Sequence, residues 1–346
     1  MPPPIKVKDA KKQSHRAIAQ SLNRWFLKNA RVLPWRERPQ PYSVWLSEVM
    51  LQQTQVATVL PYFKRFKTRF PTVTDLANAS IDDVYALWAG LGYYSRARNL
   101  HKGARAIQAR IENGDGFPST RDEWLAIPGV GEYTAGAVCS IAFNQREAIV
   151  DGNVVRVLSR VFSIGKLDAK KSEIWNLARL LVAVKSVEPR MLNQALMELG
   201  ALVCKPKNPK CKECPLFGSC LGKDLPDRYP PPKPKKEWLS ISEEKWVITT
   251  NDRDGLRVFL IQNTSKQWRE GLWDFPNPRQ ISIKKAKLIR EISSKYVVTI
   301  HRVSRKHFLY EITNNEAFRL EKGKWFRLNE LPAVPSPVKK FLVTLV

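Results

Sequence analysis

Four cysteines within 17 residues constrain this chain more than any other feature. Cys204, Cys211, Cys214 and Cys220 follow the spacing C-x6-C-x2-C-x5-C. Sulfurs this close in sequence can close round one metal centre, an outcome favoured over disulfides in a reducing compartment. Zinc and an iron–sulfur cluster both accept four thiolates, and the spacing leaves the choice open. Lys205, Lys207, Lys210 and Lys212 lie between the ligands, so the loop is also a basic patch. The fifth cysteine, Cys139, stands in a run of small residues and reads as a buried core thiol.

Upstream of this loop the apolar residues recur at helical spacing. Residues 16–29 read as an amphipathic helix and 33–43 as a proline-punctuated loop. Residues 44–70 read as helix broken at Pro61. Ser80 and Thr120 each stand three residues before an acid, the spacing of a capping box. Residues 173–186 and 190–204 are two further helices, apolar on their core faces. No strand alternation interrupts the chain before residue 203.

Residues 228–238, RYPPPKPKKEW, read as an extended Pro/Lys linker. Beyond it the pattern changes. KWVITTN, RVFLIQN, YVVTIHRV and HFLYEIT are β-branched and aromatic runs of strand length, and LIREISSKY reads as a short helix. The expected order is a basic arm (1–15), a mainly α domain carrying the cysteine loop (16–227), a linker (228–241) and an α+β domain (242–346).

Lys and Arg exceed Asp and Glu to leave a formal net charge of +26. Such a charge speaks of partners, not of fold. Between residues 90 and 107, two tyrosines stand beside Arg96, Arg98, Lys102 and Arg105, which suits stacking on bases with phosphate contact. Nucleic acid is the partner expected. No apolar run reaches membrane-spanning length, and the basic N-terminus has no apolar segment behind it. The expected setting is the cytoplasm and nucleoid, or a nucleus.

Residues 127–157 combine a glycine turn, a helix of small residues and a carboxylate. Gly129 and Gly131 are expected to take positive φ and let the backbone approach a phosphate. Asp151 follows, ahead of Gly152 and Asn153. Glu48 and Gln52 share one face of an apolar helix upstream.

Several of these segments together resemble the MutY adenine DNA glycosylases of the helix-hairpin-helix superfamily, which includes endonuclease III. They are SEVMLQQTQVATVLPYF, LGYYSRARNLHK, IPGVGEYTAGA, VDGNVVRVLSR and the cysteine loop. The resemblance runs from LPWR to the last cysteine and weakens beyond residue 240, where the family carries a Nudix-like domain. It implies a repair enzyme, acting as a monomer, that hydrolyses the N-glycosidic bond of adenine mispaired with 8-oxoguanine or guanine in duplex DNA. It also implies a [4Fe-4S] cluster on the four cysteines.

By matching positions, Glu48 would protonate adenine and Asp151 would stabilise the sugar cation, with Tyr133, Asn153 and Arg36 in support. Tyr93 would wedge into the base stack, with Gln53, Thr54 and Leu91 lining the gap, while Gly129 and Gly131 would grip the backbone. Lyase members of the superfamily carry a lysine at the position of Tyr133. A phenol forms no Schiff base, so a monofunctional glycosylase is expected over an endonuclease III-like lyase. Keeping both Glu48 and Asp151 argues against a non-catalytic iron–sulfur damage-binding protein. In the segment Arg290–Lys295, Ser293 through Lys295 supply no carboxylate for a Nudix metal helix, which argues against pyrophosphate hydrolysis. The family's 8-oxoguanine recognition loop matches best at Arg305, Lys306 and His307, where only the histidine is kept.

Overall fold

The computed structural model describes residues 14–165, 172–231, 237–253, 255–264, 269–281, 283, 286–298, 300–312 and 323–345. Most of the N-terminal arm and the middle of the Pro/Lys linker lie outside them. The chain divides into two compact units, Met1–Asn78 with Arg98–Lys233, and Ala79–Ala97 with Pro234–Val346. Residues 79–97 group with the C-terminal unit, where the Tyr85 ring packs over Gly271.

Helices follow one another in order: α1 (His15–Asn29), α2 (Pro34–Glu37), α3 (Pro41–Leu51), α4 (Val56–Arg69), α5 (Val73–Asn78), α6 (Ile81–Trp88), α7 (Tyr94–Glu112), α8 (Arg121–Leu125), α9 (Glu132–Ile141), α10 (Gly152–Val161), α11 (Ser172–Val182) and α12 (Pro189–Leu202). Side-chain caps start them where the sequence places cap residues. The Ser80 hydroxyl accepts from Asp83 N at 3.1 Å. Thr120 and Glu123 form the complete capping box. The proline-punctuated segment 33–43 is not all loop, because Pro34 and Pro41 each open a helix at its first turn, where a missing N–H costs nothing.

Pro61 does not break its helix. It sits within α4, and the break falls at Gln52–Gln55, where Gln53 takes φ 58°. Pro61 and Ala57, one turn earlier, are both exposed, so the carbonyl left without a donor faces water.

The helical core is built by α1, α10, α11 and α12. Leu22, Phe26, Val157, Leu158, Leu181, Leu192, Leu196 and Leu199 meet there, all buried. Trimming any of these leucines to alanine costs about 2–5 kcal/mol. Helix α3 is enclosed on every side: residues 42–50 are all buried. A helix apolar all round must run through a core. This placement puts the one acid of α3, Glu48, out of water.

In the C-terminal unit, β1 (Leu239–Asp252), β2 (Gly255–Gln262), β3 (Trp273–Asp274), β4 (Lys287–Val298), β5 (His301–Glu311) and β6 (Lys324–Arg327) form one mixed sheet. The order is β3-β2-β1-β5-β4, with β6 also on β2. The β1–β5 pair is parallel and the other pairs are antiparallel. Helix α13 (Ser336–Leu342) lays Val338, Phe341 and Leu342 against the core of this sheet.

The expected helix LIREISSKY is strand β4. Ile292, Ser294, Tyr296 and Val298 alternate in burial, and pairing with β5 along their length overrides the helical spacing of the isoleucines. YVVTIHRV, read as one strand, spans the end of β4 and the start of β5.

Candidate active site

The position of α3 sets the chemistry. Glu48 is buried, and Tyr133 on α9 donates its hydroxyl to Glu48 Oε2 at 2.6 Å. Burial raises the Glu48 carboxyl, and the charge of Asp151 adds to the effect. The Tyr133 hydrogen bond and Arg36 oppose both, and the balance lies at about 7. Near neutral pH this carboxyl therefore holds its proton about half the time. The Tyr133 phenol is itself raised well above its ordinary value, first by burial and then by the two carboxylates, so it stays a donor.

Asp151 caps helix α10. Its Oδ1 accepts from Val154 N at 2.7 Å and its Oδ2 from Asn153 Nδ2 at 2.8 Å. Asn153 is held in turn by Arg156, whose Nη2 donates to Asn153 Oδ1 at 2.8 Å and to the Gly200 carbonyl at 2.7 Å. The same guanidinium donates from Nε to the Cys204 carbonyl at 2.7 Å. A short chain of hydrogen bonds thus runs from the backbone of a loop cysteine to the carboxylate of Asp151.

Glu48, Tyr133, Asp151, Asn153, Arg36, Gln53 and Thr54 all line one cleft of about 980 Å³. So do Arg31, Gln194, Met197 and Glu198, which sequence reasoning did not single out. Glu198 is buried and accepts from Arg31 Nε and Nη2 at 2.7 and 2.8 Å and from Arg36 Nη2 at 2.9 Å. Burial works against its charge, but these hydrogen bonds outweigh it and hold the carboxyl down to about 2. Glu198 thus holds the Arg36 guanidinium in place on the cleft wall. A signal existed: Glu198 is the only acid in the apolar run 190–204, just as Glu48 is in its own helix.

The glycine turn behaves unequally. Gly129 takes φ 79°, and a Cβ there would stand 2.5 Å from the Asn99 Cβ. Gly131, expected at positive φ, has φ −107° and is the N-cap of α9; open space surrounds the place its Cβ would take. Neither glycine lines the cleft.

Leu91 and Tyr93 belong to the C-terminal unit. Leu91 is buried. Tyr93 is 44% exposed at φ 49°, presented by a turn whose carbonyls at Leu91 and Gly92 accept from Arg96 Nη2 at 3.0 and 3.2 Å.

The expected recognition loop at 305–307 is the middle of strand β5. Arg305 is fully buried, held by Glu243 and Asp274, and His307 is buried with its ring stacked on Phe341 at 4.0 Å. Burial, and then Arg305, push His307 down to about 4. Neither offers a surface to DNA; Lys306 alone is exposed, paired with Glu291.

Cys204, Cys211, Cys214 and Cys220 line one small recess of about 20 Å³, walled by Val157, Leu199 and Leu216. Among the described residues no three metal-ligating side chains are closed into a ligand set. The four cysteines nevertheless share that recess. Arg160 braces it, donating from Nη1 to Cys204 Sγ at 3.4 Å and to the Lys205 carbonyl at 2.7 Å. No described helix is long and apolar enough to cross a membrane.

The helical frame that carries this cleft has counterparts among known proteins. A model of the HhH-GPD superfamily of base excision DNA repair proteins matches residues 46–182. Among solved structures, a thermostable thymine-DNA glycosylase superposes with a TM-score of 0.55 at 28% identity, covering 61% of this chain and 96% of that one. An endonuclease III in a non-covalent DNA complex shares the fold, with a TM-score of 0.52 at 23% identity over 64% of this chain and 97% of that one. The adenine DNA glycosylase of Buchnera aphidicola from Schizaphis graminum is 33% identical over 94% of this chain and 97% of its own length. The human adenine DNA glycosylase is 36% identical over 75% of this chain, which spans 57% of that protein. The chain belongs to the adenine DNA glycosylase family.

Proposed function

We propose that this chain is a monofunctional glycosylase that hydrolyses the N-glycosidic bond of adenine mispaired with 8-oxoguanine or guanine in duplex DNA. The observation that carries the reading is Glu48, a buried carboxyl raised to about 7 in the same cleft as Asp151. Cleaving this bond requires a proton on the leaving base and a negative charge near the oxocarbenium-like sugar.

The target base must first leave the stack, and the cleft is where a flipped nucleotide is received. Glu48, protonated, gives its proton to adenine N7. The C1′–N9 bond breaks and its electron pair stays with the base. Asp151, held by Val154 N and Asn153, stabilises the positive charge at C1′. Water then adds at C1′, losing one proton to a carboxylate and keeping the other in the product hydroxyl. The product is an abasic site. Tyr133 orients Glu48 and offers no amine, so strand cleavage is not part of the reaction.

The four cysteines are assigned a [4Fe-4S] cluster, which when bound would cross-link the lysine-rich loop through thiolate bonds. Arg160 and Arg156 anchor that loop to α10 through its backbone carbonyls. Tyr93 is assigned the wedge that fills the emptied stack, and Gly129 and Gly131 a backbone grip. The enzyme works as a monomer, and reading of the base opposite adenine is assigned to the exposed surface of the C-terminal unit.

The test is product analysis on duplexes holding adenine opposite 8-oxoguanine, guanine or thymine. Free adenine and an intact abasic strand are expected from the first two. A borohydride-trapped covalent adduct forming as fast as adenine is released would instead make the enzyme a lyase.

A further inference from the structure

The Tyr133 hydroxyl carries one hydrogen and has two acceptors within reach. Its oxygen stands 2.6 Å from Glu48 Oε2 and 3.3 Å from the sulfur of Met197, on α12. Met197 is half-buried and lines the same cleft. The first acceptor changes with pH and the second does not. An ionised Glu48 takes the hydroxyl, because a bond to a charged acceptor is roughly twice as strong as a neutral one. A thioether is a weak acceptor and loses that contest.

A protonated Glu48 reverses the outcome. Among the described residues its side chain has Tyr133 as its one hydrogen-bond partner. A buried O–H left without an acceptor is costly, so the acid's proton turns to the Tyr133 oxygen. The hydroxyl's own hydrogen then needs another acceptor, and the Met197 sulfur stands in place to be one.

We propose that Met197 is a positioning residue of the reaction, whose sulfur takes the Tyr133 hydroxyl whenever Glu48 carries its proton. The free enzyme then stores that proton in a chain from Glu48 through Tyr133 to Met197, in which every donor has an acceptor. When adenine N7 takes the proton, the carboxylate forms and the Tyr133 hydrogen swings from sulfur to Glu48 Oε2. The only proton that leaves the protein is the one given to the base. The sulfur thus stabilises the acid before transfer, and Tyr133 stabilises the carboxylate after it.

The charged groups around Glu48 do not share this role. Arg31 and Arg36 are donors only, and Glu198 is occupied by both of them. Asp151 is held by Val154 N and Asn153. Among the described residues none of the four bonds the Tyr133 hydroxyl. Asp151 raises the Glu48 carboxyl and Arg36 opposes it, but neither responds to where the hydroxyl points. The proposal rests on the reading above that Glu48 protonates adenine.

The experiment is Met197→Leu in the full-length protein, a change that keeps the volume and removes the acceptor. Two readouts follow Glu48: the pH dependence of urea unfolding without DNA, and single-turnover adenine release at subsaturating protein, which reports groups of the free enzyme. Losing one neutral hydrogen bond from the protonated state lowers the Glu48 midpoint by about half a unit to one unit. The loss of stability with rising pH then levels off earlier by that amount. The alkaline limb of adenine release moves down with it, a roughly three- to tenfold slower rate near pH 8 relative to pH 6. Met197→Gln returns an acceptor oxygen and keeps the midpoint at or above that of wild type. In a Tyr133→Phe background, Met197→Leu moves neither readout. An unmoved midpoint, the same downward shift with glutamine, or a shift that persists without the Tyr133 hydroxyl overturns the proposal. A midpoint that moves in a protein whose wild type releases no adenine would leave the sulfur's role standing and remove the glycosylase reading instead.

Discussion

Replacing Glu48 with glutamine should stabilise the protein above neutral pH. Burial moves this carboxyl from an ordinary 4.5 to about 7. Between those values the folded protein holds a proton that the unfolded chain has released, so stability falls as pH rises through this window. At about 1.36 kcal/mol per unit, a rise of about 2.5 units removes about 3 kcal/mol by about pH 8. Glutamine has the same shape, carries no charge in either state, and its carbonyl oxygen can still accept the Tyr133 hydroxyl. The Glu48→Gln variant should therefore match wild type near pH 4.5 and exceed it by about 3 kcal/mol near pH 8. Urea unfolding followed by tryptophan fluorescence at several pH values measures the difference. A gap that stays constant with pH would mean that Glu48 ionises as an ordinary carboxyl, and its role as a neutral-pH acid would fall with it.

Three further outcomes are expected. Tyr133→Phe removes a donor that favours the Glu48 carboxylate, a bond of about 1.5–3 kcal/mol; the alkaline limb of the single-turnover rate should move up by about one pH unit or more, and an unmoved limb would show that the bond does not tune the acid. Gly129→Ala should weaken duplex binding and lower thermal stability, because φ 79° and the Asn99 contact both resist a Cβ, whereas Gly131→Ala should leave stability unchanged; equal effects at both sites would contradict this. Arg156→Gln releases Asn153 from its guanidinium and should slow adenine release on the order of tenfold to a hundredfold at saturating DNA, with wild-type release counting against any hold on Asp151.

Much of the site could be read from residue type and spacing. An acid in an otherwise apolar helix set Glu48 apart, and the carboxylate before Gly152 and Asn153 stood out by its neighbours, although only the structure shows it as the N-cap of α10. Thr120 and Glu123 foretold their capping box because such a bond is local. What stayed hidden depends on contacts distant in sequence. Glu198 gains its meaning only when Arg31 and Arg36, more than 160 residues away, close on it. Strand β4 carries isoleucines at a spacing that also suits a helix, and only its pairing with β5 decides between them. His307 kept the residue type of a recognition loop but lies within a strand, under Phe341. Pro61 shows the reverse: a strong local signal is tolerated because the carbonyl it orphans faces solvent.

The two-carboxylate cleft is tested most directly by single-turnover adenine release from an 8-oxoguanine:adenine duplex by wild type, Glu48→Gln and Asp151→Asn, with duplex binding measured in parallel. Both variants should bind the duplex and release no adenine. Near wild-type release by either one would contradict the assignment of acid and cation stabiliser to these two residues.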